Sequence, residues 1–155
     1  MPRSLAKPLP FLLMALCLPA GLRAQQSEAP TRFAVLLTSG VFGLPAEARS
    51  VDWAVLNNSP DSQRVRVTVY RVSSAGPKTT VWPGVLTFVV QPGRLFHSGN
   101  TVGPTAPYAP GMTYEVVVEL NDRRVLPTVT VWSDAANTVI AGTRLGPRDF
   151  VELRP

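Results

Sequence analysis

The sequence predicts an all-β protein built as an antiparallel sandwich or barrel. Short Val-rich runs alternate apolar and polar residues with a period of two, and each run closes at Gly, Pro, Asn or Asp. No window repeats apolar residues at the spacing of three and four that a helix requires. Many short strands with frequent turn signals are typical of sandwiches and barrels.

The predicted strands, in chain order, are residues 32–39, 50–57, 64–72, 84–91, 94–97, 113–120, 125–132 and 137–145. Pro-Gly pairs at 83, 92 and 110 fit the central positions of a type II turn and mark strand ends. Polar runs at 121–124 and 133–137 predict hairpin turns. Pro127 cannot donate to a ladder, so its strand begins there, is bulged or lies at an edge.

The alternation also predicts which residues form the core. On the third and sixth strands the inward residues are Val65, Val67, Val69, Tyr114, Val116, Val118 and Leu120. Glu115 and Glu119 point outward on the sixth strand, where paired carboxylates can serve glycoside hydrolysis. Arg64 and Arg66 share that outer face on a neighbouring strand, which favours a solvated cross-strand charge ladder instead.

Residues 1–24 are predicted to be a cleaved signal peptide. Arg3 and Lys7 form a positive start, residues 11–18 an apolar core, and Ala24 precedes the cut. The apolar stretch is shorter than the roughly 20 residues that span a membrane, so an uncleaved anchor is disfavoured. We expect a flexible lead-in at 25–31, a single domain at 32–155, and a secreted or periplasmic protein with no transmembrane segment after cleavage.

Removal of the signal peptide nearly balances the charge. The chain has 15 Lys and Arg against 10 Asp and Glu, and loss of Arg3, Lys7 and Arg23 leaves 12 against 10, a net charge of +2. Such a charge, spread along the chain, does not neutralise several phosphates at once, so nucleic acid is excluded as a partner. Cys17 is the only cysteine and leaves with the signal, so the core alone must hold the domain.

A family resemblance rests on two stretches. In PYAPGMTYEVVVELND (107–122) a Pro-Gly turn leads to a tyrosine and alternating valines, which resembles the penultimate strand of fibronectin type III and related immunoglobulin-like domains. In 50–72 a Trp strand, an Asn-rich turn and a Val strand resemble bacterial exported immunoglobulin-like modules. The resemblance implies an antiparallel immunoglobulin-like β-sandwich of about seven to eight strands. It also implies a corner role for Tyr114, with its hydroxyl bonded to nearby backbone, and a core anchor at Trp53.

His97, the only histidine, lies in a Gly- and Pro-rich run at 92–111. A hydrolase would use it as the base for Ser98, but no Gly-x-Ser-x-Gly pattern is present, and the alternative is a solvent-facing strand end. One His without a mature Cys disfavours zinc, and the Asx residues are too scattered over three turns to favour calcium. We expect no catalytic residue, no metal and no cofactor.

Aromatic residues provide the candidate binding surface. Tyr70 faces outward on its strand, and Trp132 shares a face with two threonines, so the two rings can form a platform for a sugar ring, a peptide or another subunit. The alternative places Trp132 in the core. Tyr108, in the loop at 98–111, is a third binding candidate, although it and Trp82 can instead close the two ends of the sandwich.

The leading functional hypothesis is an exported, non-enzymatic β-sandwich module that binds protein or glycan at the cell envelope or outside the cell. The first alternative is a structural subunit of a surface layer, appendage or coat that self-associates through edge strands. The second is a small hydrolase that uses His97.

Overall fold

The computed structural model describes residues 32–103, 106–133 and 138–154, without the side chains of Trp82 and Pro83. The predicted signal peptide (1–24) and lead-in (25–31) lie outside these ranges. The described elements are β1 (Val35–Gly43), β2 (Ser50–Asn57), β3 (Gln63–Ser73), β4 (Gly76–Val90), β5 (Leu95–His97), β6 (Asn100–Thr101), β7 (Thr113–Leu120), β8 (Val125–Trp132), a 3-10 turn (Pro147–Asp149) and β9 (Val151–Glu152). Within the same ranges no helix is long and apolar enough to cross a membrane.

Two antiparallel sheets form the fold. The larger sheet has the order β4-β3-β7-β1-β9. In the smaller sheet β2 is central, with β8 along one side and with β5 and β6 sharing the other. Both sheets contribute to one hydrophobic cluster between them, so the predicted all-β antiparallel sandwich is confirmed.

Valine dominates the core because a β-branched side chain packs well on a pleated surface. The inward residues predicted on the third and sixth strands are all buried in this cluster. Val51, Trp53 and Val55 join them from β2, as do Val125, Val129 and Val131 from β8. Each fully buried apolar side chain contributes about 1.5–3 kcal/mol relative to exposure, and this burial holds the two sheets together.

The predicted bounds of β2, β7 and β8 match the structure, and β8 is an edge strand of its sheet apart from isolated bridges, as one reading of Pro127 required. The predicted strand at 137–145 is wrong over its described part. Residues 138–145 form only isolated bridges to β8, at Val139 and Leu145. A bridge needs one backbone pair, whereas a strand needs consecutive pairs. Gly142, with φ of +75°, turns the chain away from β8 between the two bridges.

The predicted hairpin at residues 121–124 is also wrong. β7 pairs with β1 and β3 in the larger sheet, whereas β8 pairs with β2 in the smaller sheet. Four extended residues span about 13 Å, enough to cross the roughly 10 Å between packed sheets. In immunoglobulin-like domains the strand after the tyrosine strand continues the same sheet. Here β1 takes that place beside β7.

Candidate functional site

Tyr70 and Trp132 do not form a common platform. Tyr70 lies on β3 of the larger sheet, outside the core, with the Lys78 ammonium 4.8 Å from its ring centroid. Trp132 lies on the outer face of β8 in the smaller sheet, half-buried, while Val131 points into the core. The rings therefore face opposite sides of the sandwich. Alternation assigns a residue to a face of its own strand, but it does not say which sheet the strand joins.

Trp132 lines a shallow groove of about 280 Å³ on the outer face of the smaller sheet, which we name the Trp132 groove. Its lining residues are Ser50, Asp52, His97, Gly99 and Trp132. The sheet register brings them together, because Ser50 is paired with Trp132 across β2 and β8, while β5 places His97 opposite Ala54 on the other side of β2. Side chains two residues apart on β2 share a face, which adds Asp52.

Asp52 is the charged group at the centre of the groove. The backbone N–H groups of Ser98 and Gly99 donate to its Oδ1 at 3.1 and 2.9 Å. Gly99 adopts a φ of +44°, a left-handed conformation that glycine takes at little cost, and this brings its N–H toward the carboxylate. Oδ2 has no hydrogen bond to any group in the described ranges. One carboxylate oxygen is thus fixed by the protein, and the other is available to a ligand donor.

Burial raises the pKa of the Asp52 carboxyl above its ordinary value, and the nearby His97 and the Ser98 N–H act in the opposite direction. The imidazole Nδ1 of His97 lies 3.8 Å from Asp52 Oδ1, too far for a hydrogen bond of ordinary geometry. About 64% of the His97 side chain is exposed, compared with 25% for Asp52. The imidazole therefore forms the outer wall of the groove.

Ser98 is held in a structural role. Its Oγ accepts hydrogen bonds from the Trp53 N–H at 3.2 Å and from Asn100 Nδ2 at 2.8 Å. No hydrogen bond joins the His97 and Ser98 side chains in the described part of the chain. The hydroxyl thus ties the β5–β6 turn to β2, and the pairing of a base with a nucleophile that a serine hydrolase needs is not present at these two residues.

A larger cavity of about 560 Å³ lies on the larger sheet beside Phe33. Three of its four charged lining residues are already paired, since Arg66 forms an ion pair with Glu119 and Arg123 bonds Glu152 at 2.8 Å. The fourth, Arg32, has no ion pair with any described residue and is exposed. The Arg66 guanidinium also lies 4.9 Å from the Phe33 ring centroid. A ligand would have to compete with these contacts, so the smaller groove offers the better placed free polar group.

The predicted cross-strand charge ladder is confirmed at Arg66 and Glu119, which are directly opposite on β3 and β7. Glu115 has other partners. Lys78 Nζ donates to it at 2.7 Å and Thr38 Oγ1 at 2.6 Å. Burial opposes ionisation, but the hydrogen bonds from Lys78 and Thr38 hold the pKa of Glu115 below its ordinary value. Both glutamates are thus engaged by protein groups.

Trp53 and Tyr114 both lie in the core, at 2% and 0% exposure. The Trp53 ring stacks on Phe88 and Phe96, with centroids 6.1 and 5.8 Å away. The Tyr114 hydroxyl accepts a hydrogen bond from the Ala109 N–H at 2.7 Å, a bond from nearby backbone of the kind implied for a tyrosine corner.

Tyr108, predicted as a binding candidate, has no exposed surface and cannot contact a ligand in this conformation. Its ring packs 5.1 Å from that of Tyr114, and a bridge to Val102 closes the loop over the core. Burial raises the pKa of the Tyr108 phenol, and Tyr114 acts in the same direction. The Trp53 side chain acts to lower the pKa of Tyr108, although it forms no hydrogen bond of ordinary geometry with the Tyr108 hydroxyl. The side chain of Trp82, the other predicted plug, lies outside the described part.

These two tyrosines are expected to respond differently to loss of the hydroxyl. Tyr114→Phe leaves the half-buried Ala109 N–H without its acceptor and should lower the free energy of unfolding by about 1–2 kcal/mol. Tyr108→Phe removes a buried hydroxyl that has no partner among the described residues, so it should be neutral or stabilise by up to about 1 kcal/mol. Urea unfolding of both variants measures this. Equal losses would mean that the Tyr108 hydroxyl has a partner.

Sequence reasoning missed Asp52 and Ser50. Both occupy outward positions of β2, which alternate with the inward residues Val51 and Trp53, and the alternation contained that signal. What it lacked was the neighbour, since β8 brings Trp132 beside Ser50 only through the unexpected crossing between sheets. No group of three or more His, Cys, Asp or Glu side chains that could hold a metal ion occurs among the described residues.

No protein-family model matches the chain, and no curated protein matches it. Similar solved structures include the crystal structure of Thermotoga maritima 1070, with 13% identity and a TM-score of 0.46, covering 78% of this chain and 91% of the other. The Anabaena sensory rhodopsin transducer shares 18% identity with a TM-score of 0.39, over 66% of this chain and 84% of its own. Similarity this distant carries no argument about function.

Proposed function

We propose that this chain is an exported, non-enzymatic binding module that takes a glycan at the cell envelope or outside the cell through the Trp132 groove. The observation that carries the proposal is the combination of a half-buried indole and a carboxylate with a free oxygen in one groove. The N-terminal 24 residues, with their export-signal pattern, support the location.

The chemistry of the groove favours a sugar ring over a peptide. A pyranose has an apolar face of C–H groups and a rim of hydroxyl donors. The Trp132 indole offers an apolar surface for the first, and Asp52 Oδ2 offers a charged acceptor for the second. Because burial removes part of the water around the Asp52 carboxylate, a ligand hydroxyl bonded to it meets less competition from solvent than it would at a fully exposed carboxylate.

The size of the groove is consistent with one sugar unit. Its volume of about 280 Å³ lies near the lower end of small-molecule sites, which hold roughly 300–1,000 Å³. The groove is open along the outer face of the smaller sheet. This arrangement suits a single residue of a longer chain that continues across the surface, with Ser50 and His97 as further hydrogen-bonding groups at its walls.

The test is a glycan panel probed with protein produced from the full sequence. Trp132→Ala is expected to weaken binding at least about tenfold, equivalent to 1.4 kcal/mol, because the indole face is lost. Asp52→Asn, which can still accept from Ser98 and Gly99, should also weaken binding through loss of the charge. The matched control is Tyr70→Ala, an aromatic truncation on the opposite sheet that should leave binding unchanged.

The proposal is wrong if Trp132→Ala retains every glycan that the wild type binds, or if Tyr70→Ala loses the same ones. Capture of a protein but no glycan, dependent on Trp132, would keep the groove as the site and reject the ligand class. Hydrolysis of a bound glycan that is lost in His97→Ala would instead support the enzymatic alternative.

A further inference from the structure

β4, the outer strand of the larger sheet, has an edge that no other described strand covers. β4 pairs only with β3 within the described ranges, so its other side carries unpaired backbone groups. In an antiparallel ladder alternate residues turn their N–H and C=O groups to the same neighbour. Half of the backbone groups of β4 therefore point away from β3, toward any strand that approaches this edge.

The second half of β4, residues 85–90 (VLTFVV), lacks the usual protection. Native edges are commonly blocked by charged side chains, Pro or bulges. No charged residue lies between Lys78 and Arg94, although the neighbouring β3 carries three arginines. Pro-Gly pairs flank the segment. The pairing of β4 with β3 shifts register between Thr80 and Val85, and Gly84, with φ of +83°, lies at the end of that irregular part. Six uncharged residues with high β-propensity and no Pro form a strand of about 20 Å that is ready to pair.

Apolar side chains line this edge on both sheets. Val85 and Val89 on β4 are 55% and 57% exposed, and Leu95 and Phe96 on β5 are 58% and 36% exposed. The Phe88 and Phe96 rings are stacked with centroids 4.0 Å apart, so β4 and β5 lie at the same lateral edge of the sandwich. A strand added beside β4 would place its own side chains next to Val85 and Val89 on the outer face and next to Phe88 on the inner face.

We propose that residues 85–90 pair in antiparallel fashion with the same segment of a second copy, which joins two five-stranded sheets into one continuous sheet. An antiparallel strand is complementary to itself across a two-fold axis, because each donor meets the equivalent acceptor. The absence of charge between Lys78 and Arg94 removes the like-charge repulsion that usually prevents such self-pairing. A second copy therefore supplies a backbone that matches this edge, and no complementary charge from a different partner is needed.

The register follows from the faces of the strand. Residues that are directly opposite must point to the same side of the sheet, so the two-fold axis passes midway between the two copies of one residue. With the axis at Thr87, Val85 meets Val89 on the outer face and Leu86 meets Phe88 on the inner face, while Val90 meets Gly84 at each end of the pairing. This pairing is independent of the Trp132 groove, which lies on the outer face of the other sheet and stays open in the dimer.

Analytical ultracentrifugation tests the dimer with charge variants. Wild-type protein is expected to sediment as a dimer, and Thr87→Lys should weaken self-association at least about tenfold, because two ammonium groups would meet at the axis. Thr87 is exposed, so the variant should keep its fold, which a thermal melt checks. The matched control is Thr80→Lys, on the same strand but outside residues 85–90, which should remain dimeric.

Crosslinking gives a second readout of the same register. Opposite Cβ atoms in such a pair lie about 4.5–5.5 Å apart, close to disulfide distance. Oxidation should therefore link Thr87→Cys into a covalent dimer and leave Thr80→Cys monomeric on a denaturing gel. A wild type that stays monomeric at about 100 µM overturns the proposal, because an interface of micromolar affinity would be occupied at that concentration. A dimer that Thr87→Lys leaves intact also overturns it.

Discussion

Trp53→Ala is expected to lower the free energy of unfolding by about 3–5 kcal/mol, the range for removal of a large aromatic side chain from a core. Trp53 is only 2% exposed and stacks on Phe88 from β4 and on Phe96 from β5. Domains of this size are stable by about 5–15 kcal/mol in total, so the loss is a large part of the whole.

Trp53→Ala should lower the free energy of unfolding by more than the lost burial of apolar area alone, because the ring packs between the two sheets. Phe88 belongs to the larger sheet and Phe96 to the smaller one, and the Trp53 ring packs against both of these rings, which also stack on each other. Aromatic pairs add about 0.5–1.5 kcal/mol beyond burial. The cavity left by alanine cannot be filled from backbone held in two ladders, so relaxation is limited.

Trp132→Ala is the matched control, because it removes the same side chain from an outer face of the same sheet. We expect it to change the free energy of unfolding by less than about 1 kcal/mol, as is usual for substitutions outside the core. Guanidinium unfolding followed by circular dichroism measures both variants. Similar losses for the two would mean that Trp53 is not the anchor that its burial indicates.

The sequence predicted the parts of the fold that local periodicity controls. β2, β7 and β8 have the predicted bounds because inward residues recur with a period of two along each strand and turn-forming residues follow its end. The burial of Tyr114 was predicted from the same alternation, whereas the core position of Trp53 was implied by the family resemblance. These features depend on neighbours two residues away, which the sequence displays directly.

Features that depend on distant partners were not predictable in this way. β6 and β9 have two residues each, too few for a period to appear, and they exist because β2 and β1 offer edges to pair with. A four-residue polar link fits a hairpin as well as a crossing between sheets, so the partner of β8 remained ambiguous. The candidate site inherited that ambiguity, because Trp132 meets Asp52 only once β8 joins β2.

Asn57→Ala is expected to lower the free energy of unfolding by about 2–4 kcal/mol, since several buried groups lose their hydrogen-bond partners at once. Asn57 is fully buried at the end of β2. Its Nδ2 donates to the carbonyl oxygens of Asp61 and Val90, both at 2.8 Å, and its Oδ1 accepts from the N–H and the hydroxyl of Ser59. One amide thus fastens the β2–β3 turn to the end of β4 in the other sheet.

The neighbouring Asn58 provides the control, because it is exposed and its side chain makes no hydrogen bond to other described residues. Asn58→Ala should change stability by less than about 0.5 kcal/mol. Periodicity distinguishes the two asparagines in advance, since Asn57 continues the inward series of Val51, Trp53 and Val55. Equal losses in urea unfolding would contradict the role given to Asn57.

Asn57→Asp separates the donor from the shape of the side chain. A carboxylate there would face the carbonyl oxygens of Asp61 and Val90 and would have no hydrogen to donate. Burial and these oxygens should raise the pKa of the new carboxyl above its unfolded value of about 3.9. Because the pKa of this carboxyl is higher in the folded state than in the unfolded state, the Asn57→Asp variant is most stable below about pH 4, where the protonated acid can donate one hydrogen bond. That stability is lost as the pH rises through the folded-state pKa. Relative to Asn57→Ala, Asn57→Asp should therefore be less damaging at pH 4 than at pH 7, and a pH-independent difference would contradict this account of the amide donor.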